Sequence, residues 1–275
     1  TTSILKMKRV IERGGIIAIA PAGQVSIHGN MPYINPVIVK LLKMCKADVY
    51  TLQTTGSYLA APKWCLSKRK YPISVKCVKT FSKEEIKSLD TDTLYNKITN
   101  DLNVCDRVYQ QVANIEIKGK NLTKGLENIL FICPKCEKKY TFESIDNTLK
   151  CSCCGNTLVY NKYGFLEKSS DYDIILNDEA LWCDYQKHQI MELIKANNYH
   201  FESSVSFYSN PNKEFKLELV GRGKLIFNND TLKYTVVGLK DNKGKIEYYI
   251  YKNKKYTKYL EYAINGTIIQ VLDKE

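Results

Sequence analysis

Apolar positions change period twice along the chain. Near the start, Ile4, Met7, Val10 and Ile11 recur at helical spacing and Gly14-Gly15 supply a stop, which predicts a short amphipathic helix. The unbroken run Ile16-Ile-Ala-Ile-Ala20, closed by Pro21-Ala-Gly23, predicts a fully buried strand. Asn35-Pro36 has the form of an N-cap followed by proline at the first helical position. The helix it opens, Val37 to Lys46, puts Val37, Ile38, Leu41, Leu42 and Cys45 on one side. Val49–Gln53 and Ile73–Val78 predict two further strands. Ser82-Lys-Glu-Glu85 is a capping box, and helical structure from it runs, with a break near Asp90, to about Leu102. Strand and helix alternate over the first 105 residues, so the expectation is an α/β layer with some parallel pairing.

From Cys133 the pattern shifts to short turns and cysteine pairs. Leu176 to Asn197 then predicts a helix, with Leu181, Trp182, Tyr185, Ile190, Leu193 and Ile194 for packing. After Phe207 the period becomes that of strands: Phe215–Val220, Lys224–Phe227, Leu232–Val237, Lys245–Tyr251 and Tyr259–Ile264. Gly221, Asn228-Asn-Asp230, Asp241-Asn-Lys-Gly244 and Asn265-Gly266 are the expected turns. The organisation read from this is an α/β region over 1–128, a ribbon over 129–165, a helical connector over 166–204 and a β-rich module over 205–275.

Composition narrows the function classes. With 44% apolar and 25% charged residues in 275, the chain is globular in character. The longest apolar stretch is strand-sized, which excludes a spanning helix, and no secretory signal is evident. The net charge of +12 is unevenly spread: residues 1–128 net +10, 129–204 net −3 and 205–275 net +5. A basic face attracts nucleic acid, anionic head groups or a phosphorylated substrate. Ten cysteines, five of them within 22 residues, do not form a disulfide framework, so a reducing, cytoplasmic setting is expected.

The cysteine cluster has the clearest chemistry. Cys133-Pro-Lys-Cys136 and Cys151-Ser-Cys-Cys154-Gly155 are two knuckles separated by 14 residues. This spacing suits a tetrahedral four-thiolate Zn2+ site, structural because protein fills every position. The expected ligands are Cys133, Cys136, Cys151 and Cys154, with Cys153 the alternative to Cys154. Tyr140–Phe142 and Thr148–Lys150 would form the ribbon hairpin, and Gly155 would relieve crowding at the second knuckle.

Three further segments carry weaker signals. Pro21-Ala-Gly-Gln-Val-Ser26 places a glycine turn after a predicted strand, a place where free N–H groups can hold an anion. Lys68-Arg-Lys70, between Trp64 and Tyr71, suits a ligand phosphate, an anionic membrane surface or a solvated loop. Lys252 to Lys258 interleaves lysine and tyrosine, as in single-strand nucleic-acid binders or in a one-sided strand. His28-Gly-Asn30 reads as a polar loop.

Several of these segments together carry a resemblance. Ile16–Ser26 resembles the strand and FPEGTRS block of 1-acylglycerol-3-phosphate (lysophosphatidate) acyltransferases. The Pro36–Met44 helix, the Ala47–Tyr50 strand and Thr55-Gly-Ser-Tyr-Leu-Ala-Ala-Pro-Lys-Trp64 follow in that family's order. A bacterial branch is similar further on, through an appended four-cysteine ribbon, Tyr163-Gly-Phe165 and a β-rich tail with Val220–Lys224. The resemblance implies a partial α/β acyltransferase domain followed by the ribbon and the β module. It implies acyl transfer from acyl-CoA or acyl-carrier protein to a lysophospholipid or glycerol-phosphate hydroxyl, in phospholipid biosynthesis. It also implies peripheral attachment at the cytoplasmic membrane face, with Pro21, Gly23 and Ser26 contacting substrate.

The chain departs from the family pattern at two points. The family's catalytic His-x-x-x-x-Asp motif precedes the FPEGTRS block. Here His28, His188 and His200 are followed five residues later by Tyr33, Leu193 and Val205, so no catalytic residue is assigned. The chain opens Thr1-Thr2 without methionine, which agrees with an absent upstream half, and by itself it is expected to be inactive. Ala22 and Val25 stand where the family has Glu and a phosphate-binding Arg. The alternative reading is a non-enzymatic, basic zinc-ribbon protein that binds nucleic acid; the net negative charge of 129–204 weighs against it.

Overall fold

The computed structural model describes residues 2–209, 218–228, 231–237 and 249–252. They fall into two compact units, residues 1–182 and 183–275.

The first unit opens with α1 (Thr2–Glu12), and Gly14 at φ +78° ends it as the sequence predicts. The following apolar run is not the expected strand. Ile16 to Ala20 is irregular, with Ile16 94% exposed, because no strand pairs with it among the described residues. A five-residue apolar run has little reason to stay extended without a ladder to join.

α2 (Val37–Cys45) begins at Val37 as predicted and ends one residue before the expected Lys46. Pro36 is its N-cap, and the Asn35 side chain still accepts the Val37 N–H at 2.9 Å. β1 (Val49–Thr55) leads into the one-turn helix α3 (Ser57–Ala60), β2 (Arg69–Lys70) and β3 (Ser74–Phe81). β1 and β3 form a two-stranded sheet, with Leu52 opposite Cys77 and Thr54 opposite Val75. The pairing is antiparallel, as is every other strand pair described. The expected parallel pairing is therefore corrected: the 56–73 excursion brings the chain back against β1 in the opposite direction.

The Ser82 capping box forms as read, with Glu85 N–H donated to Ser82 Oγ and Ser82 N–H to Glu85 Oε2, and it starts α4 (Lys83–Ser88). Asp90 breaks the helix and caps α5 (Thr91–Leu102) through the N–H groups of Asp92 and Thr93. Val39, Phe81, Ile86, Leu94 and Ile98 make the core between these helices and one face of the sheet. On the other face Tyr50, Leu52 and Val75 are exposed.

α6 (Asp106–Ala113), which the apolar pattern did not reveal, is followed by β4 (Lys118–Gly119), paired with β2, and by a 3-10 turn over Leu126–Asn128. The ribbon is a four-stranded antiparallel meander of β5 (Phe142–Ile145), β6 (Thr148–Cys151), β7 (Thr157–Tyr160) and β8 (Leu166–Lys168). The unit boundary falls within α7 (Glu179–Lys195).

The second unit holds an antiparallel sheet of β9 (His200–Ser209), β10 (Glu218–Asn228), β11 (Thr231–Val237) and β12 (Tyr249–Lys252), ordered β12-β11-β10-β9. Gly221, expected as a turn, lies inside β10. It marks an irregularity in the β9–β10 register, which a residue without a side chain tolerates. The predicted strand Tyr259–Ile264 and the turns at 229–230, 241–244 and 265–266 lie outside the described residues. So does most of the Lys252–Lys258 segment.

Candidate functional site

The four predicted ligands converge. The sulfur atoms of Cys133, Cys136, Cys151 and Cys154 all lie within 4.8 Å of one another. Cys133 and Cys154 are 3.7 Å apart, Cys136 and Cys151 3.8 Å. A disulfide would need about 2.0 Å. Four thiolates about 2.3 Å from a tetrahedral Zn2+ are about 3.8 Å from each other, so the cluster has the dimensions of a metal site. It can hold a metal ion such as zinc.

The backbone prepares the site. Each knuckle closes on its first cysteine: Glu137 N–H is donated to Cys133 O at 2.8 Å and Gly155 N–H to Cys151 O at 2.9 Å. Both closing residues are left-handed, Glu137 at φ +58° and Gly155 at φ +74°. Gly155 has open space where a Cβ would stand, so it is needed for its φ and not to relieve crowding. Burial pushes the Cys133 thiol up to about 12. Burial also works against the Cys151 thiolate, yet the Thr141 hydroxyl and the N–H groups of Cys154 and Cys153 hold it down to about 6. Cys153 is exposed and outside the converging set, which favours Cys154 over it as the fourth ligand.

The ribbon is tied to the rest of its unit by the buried Trp182 and the half-buried Arg69. Trp182, on α7, donates its indole N–H to Ile132 O at 3.0 Å and meets Phe142 edge-on. Arg69 lies between the rings of Trp64 and Tyr160, at 4.7 and 4.9 Å. It donates to Cys65 Sγ at 3.1 Å, to Tyr160 OH at 3.2 Å and to Leu122 O. Arg69 therefore fits neither a solvated loop nor a phosphate-holding cation: its guanidinium is spent on the joint between β2 and the ribbon.

The predicted substrate residues Pro21, Gly23 and Ser26 sit in one loop. Gly23, at φ +67° with open space before its Cα, closes a turn on Ala20 O at 3.1 Å. Ser26 Oγ accepts the Gly29 N–H at 2.8 Å. The loop is held by Arg107, which donates to His28 O at 2.5 Å and to Asn30 Oδ1. The same guanidinium faces Glu179 at 3.4 Å and Asp178 at 3.8 Å, at the start of α7. Burial opposes its charge, but Glu179 and Asp178 keep its pKa above the ordinary value. Glu179 is 1% exposed, and burial pushes its carboxyl up despite Arg107.

The Gly56-Ser-Tyr58 turn of the acyltransferase-like run is a cradle of backbone N–H groups, and it is already filled. The buried Asp106 carboxylate accepts from Gly56 N–H at 2.8 Å, Tyr58 N–H at 2.7 Å and Leu59 N–H at 3.4 Å. Tyr58 OH in turn accepts the Trp64 indole N–H at 3.0 Å. Sequence reasoning missed Asp106, Arg107 and Glu179. The apolar pattern did not reveal α6, and the one available signal was the adjacent Asp106-Arg107 pair. Comparison with protein-family models, curated proteins and solved structures gave no match. No helix among the described residues is long and apolar enough to cross a membrane.

Proposed function

We propose that this chain belongs with glycerolipid acyltransferases. On this reading residues 1–128 contact an acyl donor, acyl-CoA or acyl-carrier protein, and a lysophosphatidate-like acceptor in phospholipid biosynthesis. Cys133, Cys136, Cys151 and Cys154 hold one structural Zn2+. The observation that carries the reading is the order of blocks from Ile16 to Trp64, then the ribbon, then Tyr163-Gly-Phe165. Two features of the fold support it. Pro36 to Trp64 forms helix α2, strand β1 and a turn locked by Asp106, and the 21–30 loop is built around Gly23, Ser26 and Gly29. The +10 charge of residues 1–128 suits phosphate-bearing substrates and an anionic membrane surface at the cytoplasmic face.

In such a transfer the acceptor oxygen attacks the thioester carbon. An ester C–O bond forms, the C–S bond breaks, and the hydroxyl proton passes to a base while the thiolate leaves. With no His-x-x-x-x-Asp motif, this chain supplies binding groups and no histidine base. The expected result is saturable binding of monomeric 1-oleoyl lysophosphatidate with no release of free thiol from oleoyl-CoA. Failure to bind the lysolipid, together with tight binding of single-stranded DNA, would overturn the reading in favour of a nucleic-acid module. Thiol release by the purified chain would overturn its assignment as a binding part alone.

A further inference from the structure

We propose that Arg107 is the positioning residue of the Ser26–Asn30 loop, set in place by Glu179. This inference rests on the acceptor reading given above. Arg107 reaches the loop at two separate points, the His28 carbonyl and the Asn30 side chain, from a side chain only 9% exposed. Its ring-side neighbour is Tyr58, 5.8 Å from the guanidinium, on the turn locked by Asp106.

The fit leaves no slack. A Cβ on Gly29 would stand 2.5 Å from Arg107 Nη1 and 2.9 Å from Tyr58 Cε1, so the loop lies on the guanidinium itself. Gly29 also takes φ +86°, and its N–H is the group that engages Ser26 Oγ. The position of the Ser26 hydroxyl therefore follows from the seat of Gly29, and that seat is built by Arg107.

Arg107 is not a substitute for the phosphate-binding arginine absent at position 25. Its donors already face His28, Asn30 and Glu179, and a ligand phosphate would have to displace them. Glu179 is its counter-charge, and Glu179 Oε1 has no hydrogen-bond partner, so the carboxylate depends on Arg107 for compensation. Losing Arg107 would leave the Glu179 charge buried without its guanidinium, and losing Glu179 would leave Arg107 only the more exposed Asp178 at 3.8 Å. Because Trp182 fixes the first turn of α7 to the ribbon, the clamp also joins the loop to the metal site.

The test compares the wild-type chain with Arg107→Met, Arg107→Lys and Glu179→Gln, all zinc-loaded. Hydrogen exchange over residues 26–30 and the Kd for monomeric 1-oleoyl lysophosphatidate are measured, with zinc content as the check on folding. Arg107→Met is expected to raise both exchange and Kd at least about tenfold, the worth of a hydrogen bond to a charged group. Arg107→Lys is expected to recover part of the affinity, since one cationic donor can still reach the His28 carbonyl. If Arg107→Met fails to fold, Glu179→Gln, which keeps the guanidinium and removes the charge that holds it, is expected to shift the same two readings. Unchanged exchange overturns the proposal, and so does faster exchange with an unchanged Kd, which would make Arg107 a brace only. A wild-type chain that does not bind the lysolipid sinks the acceptor reading, and exchange at Gly29 then decides the clamp alone.

Discussion

The Asp106 carboxylate and the Tyr58 backbone N–H meet at 2.7 Å, across 48 residues of chain. The contact makes one buried acid the cap of a four-residue helix that has no side-chain cap of its own. Such a short helix cannot sustain itself, because nucleation is costly. Its geometry is imposed by α6, and through Tyr58 and Trp64 it orders the segment that joins the sheet to the ribbon.

Replacing Asp106 with Ala strands the N–H groups of Gly56, Tyr58 and Leu59 in a buried place. Each unsatisfied buried group costs about 1–3 kcal/mol, so a total loss of about 3 kcal/mol is expected. Asp106→Asn keeps one acceptor oxygen and is expected to lose about half as much. Urea unfolding of the zinc-loaded chain measures both. An Ala variant within about 0.5 kcal/mol of wild type, the range of an ordinary surface change, would show that the cap is dispensable.

The metal site gives a sharper contrast. Cys133→Ser or Cys151→Ser removes a thiolate from the converging set, and the zinc content is expected to fall from one per chain to near zero. Cys153→Ser is expected to keep the full complement, because its sulfur lies outside the set. Elemental analysis after gel filtration reads this directly. Loss of zinc in the Cys153 variant, with retention in a Cys154 variant, would reverse the ligand assignment.

Signals confined to a few adjacent residues were legible in the sequence. The Ser82–Glu85 box, the break near Asp90, the Gly14 stop and the two cysteine knuckles each depend on groups within five positions, and all four stand in the structure. What the sequence hid depends on partners far along the chain. The run Ile16–Ala20 has strand composition but no neighbouring strand among the described residues, and composition cannot supply one. Arg69 looks like part of a basic loop until Trp64 and Tyr160 close on it from 5 and 91 positions away. The clamp on the 26–30 loop is the same case, since Arg107 lies 79 residues from His28 and 72 from Glu179.

Gly56 and Gly23 both have positive φ, yet they are expected to respond differently to Ala. At Gly56 a Cβ would collide with the Pro72 carbonyl oxygen and stand 2.9 Å from the Tyr71 ring, so backbone must move. At Gly23 nothing lies within 4 Å, and only the left-handed strain of about 1–2 kcal/mol remains. Gly56→Ala is expected to lower the thermal midpoint several degrees more than Gly23→Ala. Equal shifts would mean that conformational strain alone governs both sites.

Acid sensitivity follows from the caps. Ser82, through its backbone N–H and then its hydroxyl, holds Glu85 below its ordinary value of 4.5, and the Thr93 hydroxyl and N–H hold Asp90 below 3.8. Because the folded values are the lower ones, the stability they contribute is fully present above the unfolded values and is lost as pH falls through the folded ones. Glu179 has the opposite sign: burial raises its folded value, so its contribution weakens as pH rises above 4.5. The two effects separate by substitution. Asp90→Asn and Glu85→Gln keep their capping geometry, since amides serve at both positions, but they no longer titrate. The double variant is expected to match wild type near neutrality and to lose less stability than wild type between pH 4 and pH 2. Zinc also leaves in acid as protons compete for the thiolates, but it leaves both proteins alike. The difference between their urea midpoints therefore isolates the caps, and identical acid slopes would show that Glu85 and Asp90 titrate at their unfolded values.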